Sequence, residues 1–195
     1  MKTIAVIGCG PSLNKIDFSL LKGITTIGVN HIADIFDPDY LIWRDQQVKT
    51  ESLVKSNAKK FCLERGCKQG VTAQIFSLYD FQPLSILPKH TFIDKPVFSD
   101  NAAELAGGKS SIFAALNLAV VLGAEKIILL GVDLHNRDHF YNTDERPFPN
   151  YEKMLEDFGR VAEYAIQKRI LILNANPESK LQCFRRTTLI KALEG

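Results

Sequence analysis

Thr3-Ile4-Ala5-Val6-Ile7-Gly8-Cys9-Gly10-Pro11-Ser12-Leu13 lies near the start of the chain, and its class follows from this segment. A short run rich in β-branched residues enters a glycine-bounded turn. Pro11 then suits the first turn of a helix, where its missing N–H is not needed. A strand that turns at once into a helix reads as the first unit of a nucleotide-binding sheet. The turn begins like the dinucleotide fingerprint G-x-G-x-x-G, but Leu13 stands at the third glycine. The next apolar run ends in Val29-Asn30-His31, where an NAD site wants Asp or Glu, so NAD is disfavoured. Residues without side chains at 8 and 10 let a ligand approach the backbone, and N–H groups beyond Pro11 suit a phosphate or ribose. Gly8, Gly10, Pro11 and Ser12 are therefore candidate nucleotide-binding residues.

Further short apolar runs lie at 25–29, 40–43, 60–63, 126–130 and 170–173, separated by turns and helical stretches. Continuous apolar runs that alternate with helices predict strands covered on both faces. The expected class is α/β: a Rossmann-like, mostly parallel sheet with helices on both faces, in one domain over 1–195. Residues 111–122 carry Ile112, Phe113, Leu116, Leu118, Val120 and Leu122 on all sides with Asn117 nearly alone as a polar residue, which predicts a buried central helix. Residues 151–168 place Met154, Leu155, Phe158, Val161, Ala162, Ala165 and Ile166 opposite Glu152, Glu156, Asp157 and Glu163, which predicts a surface helix. Between 66 and 101 the pattern weakens around Pro83, Pro88 and Pro96, so short or irregular elements are expected.

Composition narrows the function classes. The 195 residues are 46% hydrophobic and 24% charged, ordinary values for a folded protein. A net charge of +2 is too small to argue for nucleic acid or an anionic membrane as partner. The longest mainly apolar stretch, 112–124, is shorter than a membrane span, and the run at 4–7 is too short for a signal peptide, so a cytoplasmic location is expected. Cys9, Cys62, Cys67 and Cys183 read as reduced thiols; Cys62 and Cys67 are close in sequence but lack two further ligands at metal spacing.

Two other segments carry chemistry. Gly107-Gly108-Lys109-Ser110-Ser111 opens the central helix, yet it is no P-loop, because the first glycine of that pattern falls on Ala103. Ser110 and Ser111 either cap the helix or meet an anion at its N-terminus. After the run at 126–130 comes a polar loop, 131–141, at the end of a strand where open α/β sheets bind ligands. Asp133, His135, Asp138 and His139 are metal-ligand types, but acid–base work by this loop is the expectation and no metal is assigned. His31 directly follows the second strand and could face the same cleft; His90 beside Pro88 reads as surface.

Taken in order, the glycine turn with Ile16-Asp17 beyond it, Asn30, Ser111 with Ala115 and Ala119, residues 122–127, Gly131-Val132-Asp133 and Asn176-Pro177-Glu178-Ser179 resemble the bacterial sialyltransferases of lipooligosaccharide synthesis. A wider resemblance, through G-x-G-P-S-L and the stretch from Pro38-Asp39 to Asp45, is to 6-hydroxymethylpterin diphosphokinase-like proteins. The first resemblance implies that Gly8, Gly10 and Asn30 line a CMP site, that Ser111 meets its phosphate or ribose, and that Tyr141 hydrogen-bonds the departing phosphate. Asp133 joins the nucleotide-binding set. The chain departs from that family twice. His135 stands where relatives carry a second tyrosine, and residues 146–150 hold no histidine where relatives place the general base. The chain is also expected to lack the family's membrane-associating C-terminal part.

The leading expectation is a nucleotide-binding, glycosyltransferase-like enzyme that uses a CMP-sugar or related donor, with a glycan among the candidate acceptors and no required cofactor. His139 is the expected base, because an extended segment would set it on the same side as Tyr141, and His135 is expected to touch the donor phosphate. A diphosphokinase-like enzyme with ATP and Mg²⁺ held by Asp39, Asp45 or Asp133 is the alternative. A third reading is a non-catalytic nucleotide-binding relative. Self-association into a homo-oligomer is also among the expectations.

Overall fold

In the computed structural model, which describes residues 1–79 and 97–194, every strand pairing is parallel. The strands are β1 (Thr3–Ile7), β2 (Thr25–Val29), β3 (Tyr40–Trp43), β4 (Lys59–Leu63), β5 (Gln74–Tyr79), β6 (Glu104–Ala106), β7 (Lys126–Leu130), β8 (Leu171–Asn174) and β9 (Arg185–Arg186). The helices are α1 (Thr50–Lys55), α2 (Ser111–Val121), α3 (Tyr151–Lys168) and α4 (Leu189–Glu194). They build one nine-stranded sheet in the order β6-β5-β4-β3-β2-β1-β7-β8-β9. The expected α/β class and parallel sheet are what the chain adopts, and the stretch at 80–96, including His90 and the three prolines, lies outside the described residues.

Side chains alternate between two faces, as strand geometry requires. Ile4, Val6, Ile127 and Leu129 join α2 and α3 in one core, where Phe113 and Phe158 pack with ring centroids 4.5 Å apart. Ala5, Ile7, Ile128 and Leu130 join Leu13, Leu53, Leu189 and Ala192 in the core on the other face. Helices therefore cover both faces, and the central strands are apolar throughout because neither face meets water.

The chain walks outward from β1 to the edge strand β6, then α2 carries it back across the sheet to β7 beside β1. That return explains why α2 is apolar on all sides: its first nine residues are buried. Its polar exception has a defined task. Asn117 Oδ1 accepts from the N–H of Ser99 (3.1 Å) and of Ala106 (2.9 Å), and its amide donates to Ser99 O (2.7 Å). The side chain pins the edge strand to the crossover helix and satisfies backbone groups that water cannot reach.

In α3, Met154, Phe158, Val161 and Ala165 are buried as expected, but Ile166 is 77% exposed and Asp157 is buried. At about 100° per residue, Asp157 falls nearer the centre of the buried stripe than Ile166 does.

Candidate functional site

The neighbouring strands β1 and β7 send their connections to opposite faces. Leu13 and Leu21, on the way to β2, pack on one side, and Met154, Phe158 and Val161 of α3 on the other. Such a reversal opens a crevice beyond the C-terminal strand ends. A cavity of about 90 Å³ lies there, lined by Gly8, Gly10, Asn30, Ser110, Asp133 and His139 among others.

The glycines are set by close packing of the two strand ends. Gly10 has φ −65°, open to any residue, but a Cβ there would sit 2.4 Å from Asp133 Oδ2 and 2.8 Å from Gly131 O. At Gly8 it would sit 2.4 Å from Gly131 O. Gly131 has φ +62°, and its Cβ would meet Leu13 Cγ at 2.7 Å. The turn's donors are engaged as well: Gly8 N–H to Leu130 O (2.8 Å), Gly10 N–H to Gly131 O (2.8 Å) and Leu13 N–H to Gly10 O (3.2 Å). Pro11 does open a helix, but it is a 3-10 turn, Pro11–Lys15, rather than an α-helix. The N–H groups beyond Pro11 expected to be open to phosphate are paired inside the protein, Leu13 with Gly10 O and Ser12 with Asp133 Oδ2.

Ser12 and Asp133 hold each other. The carboxylate accepts from Ser12 N–H (2.8 Å), Ser12 Oγ–H (2.6 Å) and Asn176 Nδ2–H (2.7 Å). Ser179 Oγ–H donates to Val132 O (2.7 Å), and Asn174 Nδ2–H to Val132 O (3.2 Å). The late Asn176-Pro177-Glu178-Ser179 segment therefore braces the loop beyond β7.

On the opposite wall Ser110 caps α2, its hydroxyl oxygen accepting from Ile112 N–H at 3.3 Å. Ser111 Oγ–H donates to Asn30 Oδ1 at 3.3 Å, with Asn30 in the left-handed region at φ 53°. The glycine pair before them wraps a cation. Buried Arg44, just past β3, donates from one guanidinium nitrogen to the carbonyls of Gly107 (2.6 Å), Ser110 (3.2 Å) and Gly108 (3.3 Å). Gly108 has φ +51°, and a Cβ would strike the Phe113 ring at 2.3 Å.

The histidine loop folds over the glycine turn through Phe140 N–H to Cys9 O (2.8 Å). His139 and Asn142 exchange backbone hydrogen bonds, closing a tight turn that stacks Tyr141 on His139 with centroids 5.0 Å apart. The two side chains do share a side, by a turn and not by an extended segment. Tyr141 also packs on buried His31 at 4.6 Å. His139 lines the cavity, Tyr141 is 42% exposed beside it, and His135 is exposed and outside the lining.

Burial holds the pKa values of His31 and His139 below the ordinary imidazole value, and burial with Cys9 and Asp34 nearby pushes the Tyr141 phenol up to about 12. At neutral pH the site thus offers neutral imidazoles and a phenolic donor. Within the segment 146–150, exposed Arg146 forms a two-point pair with Asp144 (2.7 Å each).

The carboxylates named for Mg²⁺ do not converge. Asp39 precedes β3 at the N-terminal edge of the sheet, where it accepts from Thr26 N–H (2.7 Å) and Oγ1–H (2.8 Å). Asp45 follows β3, three strand spacings from β7, or about 14 Å. Among the described residues no group of three or more His, Cys, Asp or Glu side chains is placed to hold a metal ion, and no helix is long and apolar enough to cross a membrane.

No protein-family model matches the chain, and no curated protein sequence matches it. Solved structures share its fold over 96% of its length. The sialyltransferase CstII from Campylobacter jejuni in complex with cytidine-5'-monophosphate superposes with TM-score 0.56 at 13% identity over 85% of that chain. The complex of CstII with CMP-3FNeuAc gives 0.55, 15% and 86%. The sialyltransferase CST-II with trisaccharide acceptor and CMP gives 0.53, 12% and 86%. At such identities the likeness is one of fold.

Proposed function

We propose that this chain binds a nucleotide-activated sugar, CMP-linked by preference, in the crevice between β1 and β7 and transfers the glycosyl group to an acceptor hydroxyl. One observation carries the reading. Asn30, Ser110 and His139 reach a single cavity at the point where the strand order reverses, with Tyr141 stacked on His139. The fold shared with enzymes solved with CMP and CMP-3FNeuAc supports the choice of nucleotide.

A cavity of about 90 Å³ is smaller than the roughly 300 Å³ at which ligand pockets begin, so the enclosed part suits the phosphate or ribose end of the donor. In this reading Asn30 and the serines at the start of α2 hold the nucleotide. The Tyr141 hydroxyl donates to the phosphate as the bond between sugar and phosphate breaks, stabilising the charge that develops there. His139, neutral at pH 7, accepts the acceptor's hydroxyl proton as the new glycosidic bond forms. His135 lies outside the lining of the enclosed cavity, between Leu134 and Asn136, and takes no assigned step in this reading.

A second reading, a non-catalytic nucleotide-binding relative, is favoured by the mutual engagement of Ser12 and Asp133 and by the packing origin of the glycines. Calorimetric titration with CMP, CDP, ATP and GTP, each with and without Mg²⁺, tests the proposal, followed by assay of CMP release from a CMP-sugar. CMP binding that is indifferent to Mg²⁺, with release of CMP, supports it. Binding without release selects the non-catalytic relative, and ATP binding abolished by EDTA overturns the proposal in favour of the diphosphokinase-like alternative.

A further inference from the structure

The Cys62 and Cys67 sulfurs lie 3.2 Å apart, in direct contact. Neither belongs to the crevice described above. Cys62 sits in β4, 1% exposed, with its side chain in the core beside Trp43 and Ala58. Cys67 follows a single 3-10 turn, Glu64–Gly66, and is exposed.

The turn that joins them is braced at several points, so the contact is built into the fold. The Trp43 indole N–H donates to Gly66 O at 2.7 Å, and Cys67 N–H donates to Glu64 O at 3.1 Å. Gly66 packs so tightly on Arg44 that a Cβ would sit 2.9 Å from its carbonyl oxygen. Arg65 Nε–H reaches the same carbonyl at 3.4 Å. A buried thiol and an exposed thiol are thereby held within the distance at which a small movement closes a disulfide, whose sulfurs lie about 2.05 Å apart.

We infer that Cys62 and Cys67 form a dithiol site that is oxidised to an intramolecular disulfide by low-molecular-weight disulfides. The exposed Cys67 thiolate attacks a disulfide RS–SR, forming Cys67–S–SR and releasing RS⁻. The Cys62 thiol then gives up its proton and its sulfur attacks Cys67 Sγ, breaking the Cys67–SR bond and releasing the second RS⁻. The two thiols are oxidised, one RS–SR is reduced to two RSH, and the protons pass to the released thiolates. Accessibility sets the order of attack. Burial and the neighbouring Cys67 push the Cys62 thiol up to about 12, so Cys62 is a poor first nucleophile and acts once its partner is already bonded.

The pair also has a structural neighbour of consequence. The carbonyl of Arg44 packs against Gly66 and accepts from Arg65 Nε–H, and the guanidinium of Arg44 holds the carbonyls of Gly107, Gly108 and Ser110, the last of which lines the crevice. Cys183, exposed and with no second thiol against it among the described residues, serves as an internal control.

The test treats the reduced full-length protein with oxidised glutathione, quenches by alkylation and maps thiols by mass spectrometry. Tryptic cleavage after Arg65 separates the two cysteines, so a bridge appears as residues 61–65 linked to 66–68. The expected result is that linked pair as the dominant product, with Cys183, whose thiol burial pushes up to about 11, linked to neither cysteine. Cys62→Ser is expected to trap glutathione on Cys67. Cys67→Ser is expected to leave Cys62 reduced in protein whose circular dichroism is unchanged. Persistent glutathione on Cys67 of the unaltered protein, or both thiols alkylated in full after oxidant, would overturn the inference. So would a Cys62 that reacts equally fast in Cys67→Ser.

Discussion

Ser12 donates two hydrogen bonds to the carboxylate of Asp133, from its backbone N–H at 2.8 Å and from its hydroxyl at 2.6 Å. Residues 121 positions apart in sequence are thereby joined at the point where β1 and β7 lie side by side, and Asn176 completes the carboxylate's shell at 2.7 Å. This is a strut across the reversal point, with Asp133 only 5% exposed. Hydrogen bonds to a charged group contribute about 1.5–3 kcal/mol each, and a buried donor left without a partner adds a cost. Asp133→Ala is expected to lower unfolding free energy by about 3–4 kcal/mol and Ser12→Ala by about 1–2 kcal/mol, read from denaturant midpoints at constant m-value. Losses below half a kcal/mol for Asp133→Ala would remove the strut from the account.

Gly10 and Gly23 give a paired test of why glycine stands in the turn. At Gly10 a Cβ would meet Asp133 and Gly131, whereas at Gly23, with φ +82°, it would meet nothing within 4 Å. Gly23→Ala carries conformational strain alone, about 1 kcal/mol. Gly10→Ala must push the two strand ends apart and is expected to cost more, about 2–3 kcal/mol, within the range for overpacking. Thermal unfolding of both variants checks the order; equal midpoints would contradict it.

Stability should fall on mild acidification. His31 and His139 have folded pKa values lowered by burial, so between those values and the unfolded value near 6.5 the unfolded chain binds more protons than the folded one. Their contribution is complete above about pH 6.5 and is lost as pH falls through the folded pKa values. Asp144, lowered to about 2 by its pairing with Arg146, acts separately, its contribution fading from about pH 3.8 down to about 2. A His31→Gln, His139→Gln double variant should show a flatter stability profile between pH 6.5 and 5, measured by urea titration at each pH. An unchanged slope would show that neither imidazole titrates there.

His139 and Tyr141 separate chemistry from binding. With a CMP-sugar donor, His139→Ala is expected to lower turnover about a hundredfold to ten-thousandfold while CMP affinity stays within a factor of two or three. Tyr141→Phe keeps the ring stack on His31 and His139 and loses only the phenolic donor. Its turnover should therefore fall without a change in melting temperature. Full turnover in His139→Ala would return the loop to a structural role.

Much of this architecture could be read from the residues, because the signals were strong where burial is complete. β1, β2, β3 and β7 occupy the expected positions, and α2 and α3 match within one residue, since strands and helices buried on two faces carry unbroken or strictly periodic apolar patterns. β5 was missed because it is half-covered, with Gln74, Ile75, Ser77 and Leu78 exposed and Phe76 alone buried. β9 is two arginines, and α1 and α4 are six residues each, too short to show a period.

At the site, the gathering of Gly8, Gly10, Asn30, Ser110, Asp133 and His139 around one cavity was foreseeable from strand ends. Which donors are already paired was not, because the partners of Ser12 and Gly10 lie more than a hundred residues away. Arg44 gave no motif, and its role depends on three carbonyls that side-chain patterns do not report.

Whether CMP occupies the crevice between β1 and β7 is read by amide chemical-shift mapping of the isotope-labelled protein titrated with CMP. The account predicts that the largest shifts cluster on Cys9, Gly10, Asn30, Ser110, Ser111 and His139, with the N-terminal edge of the sheet around Thr26 and Asp39 unmoved. Saturating CMP that moves no amide in this cluster, or that moves Thr26 and Asp39 instead, would contradict it.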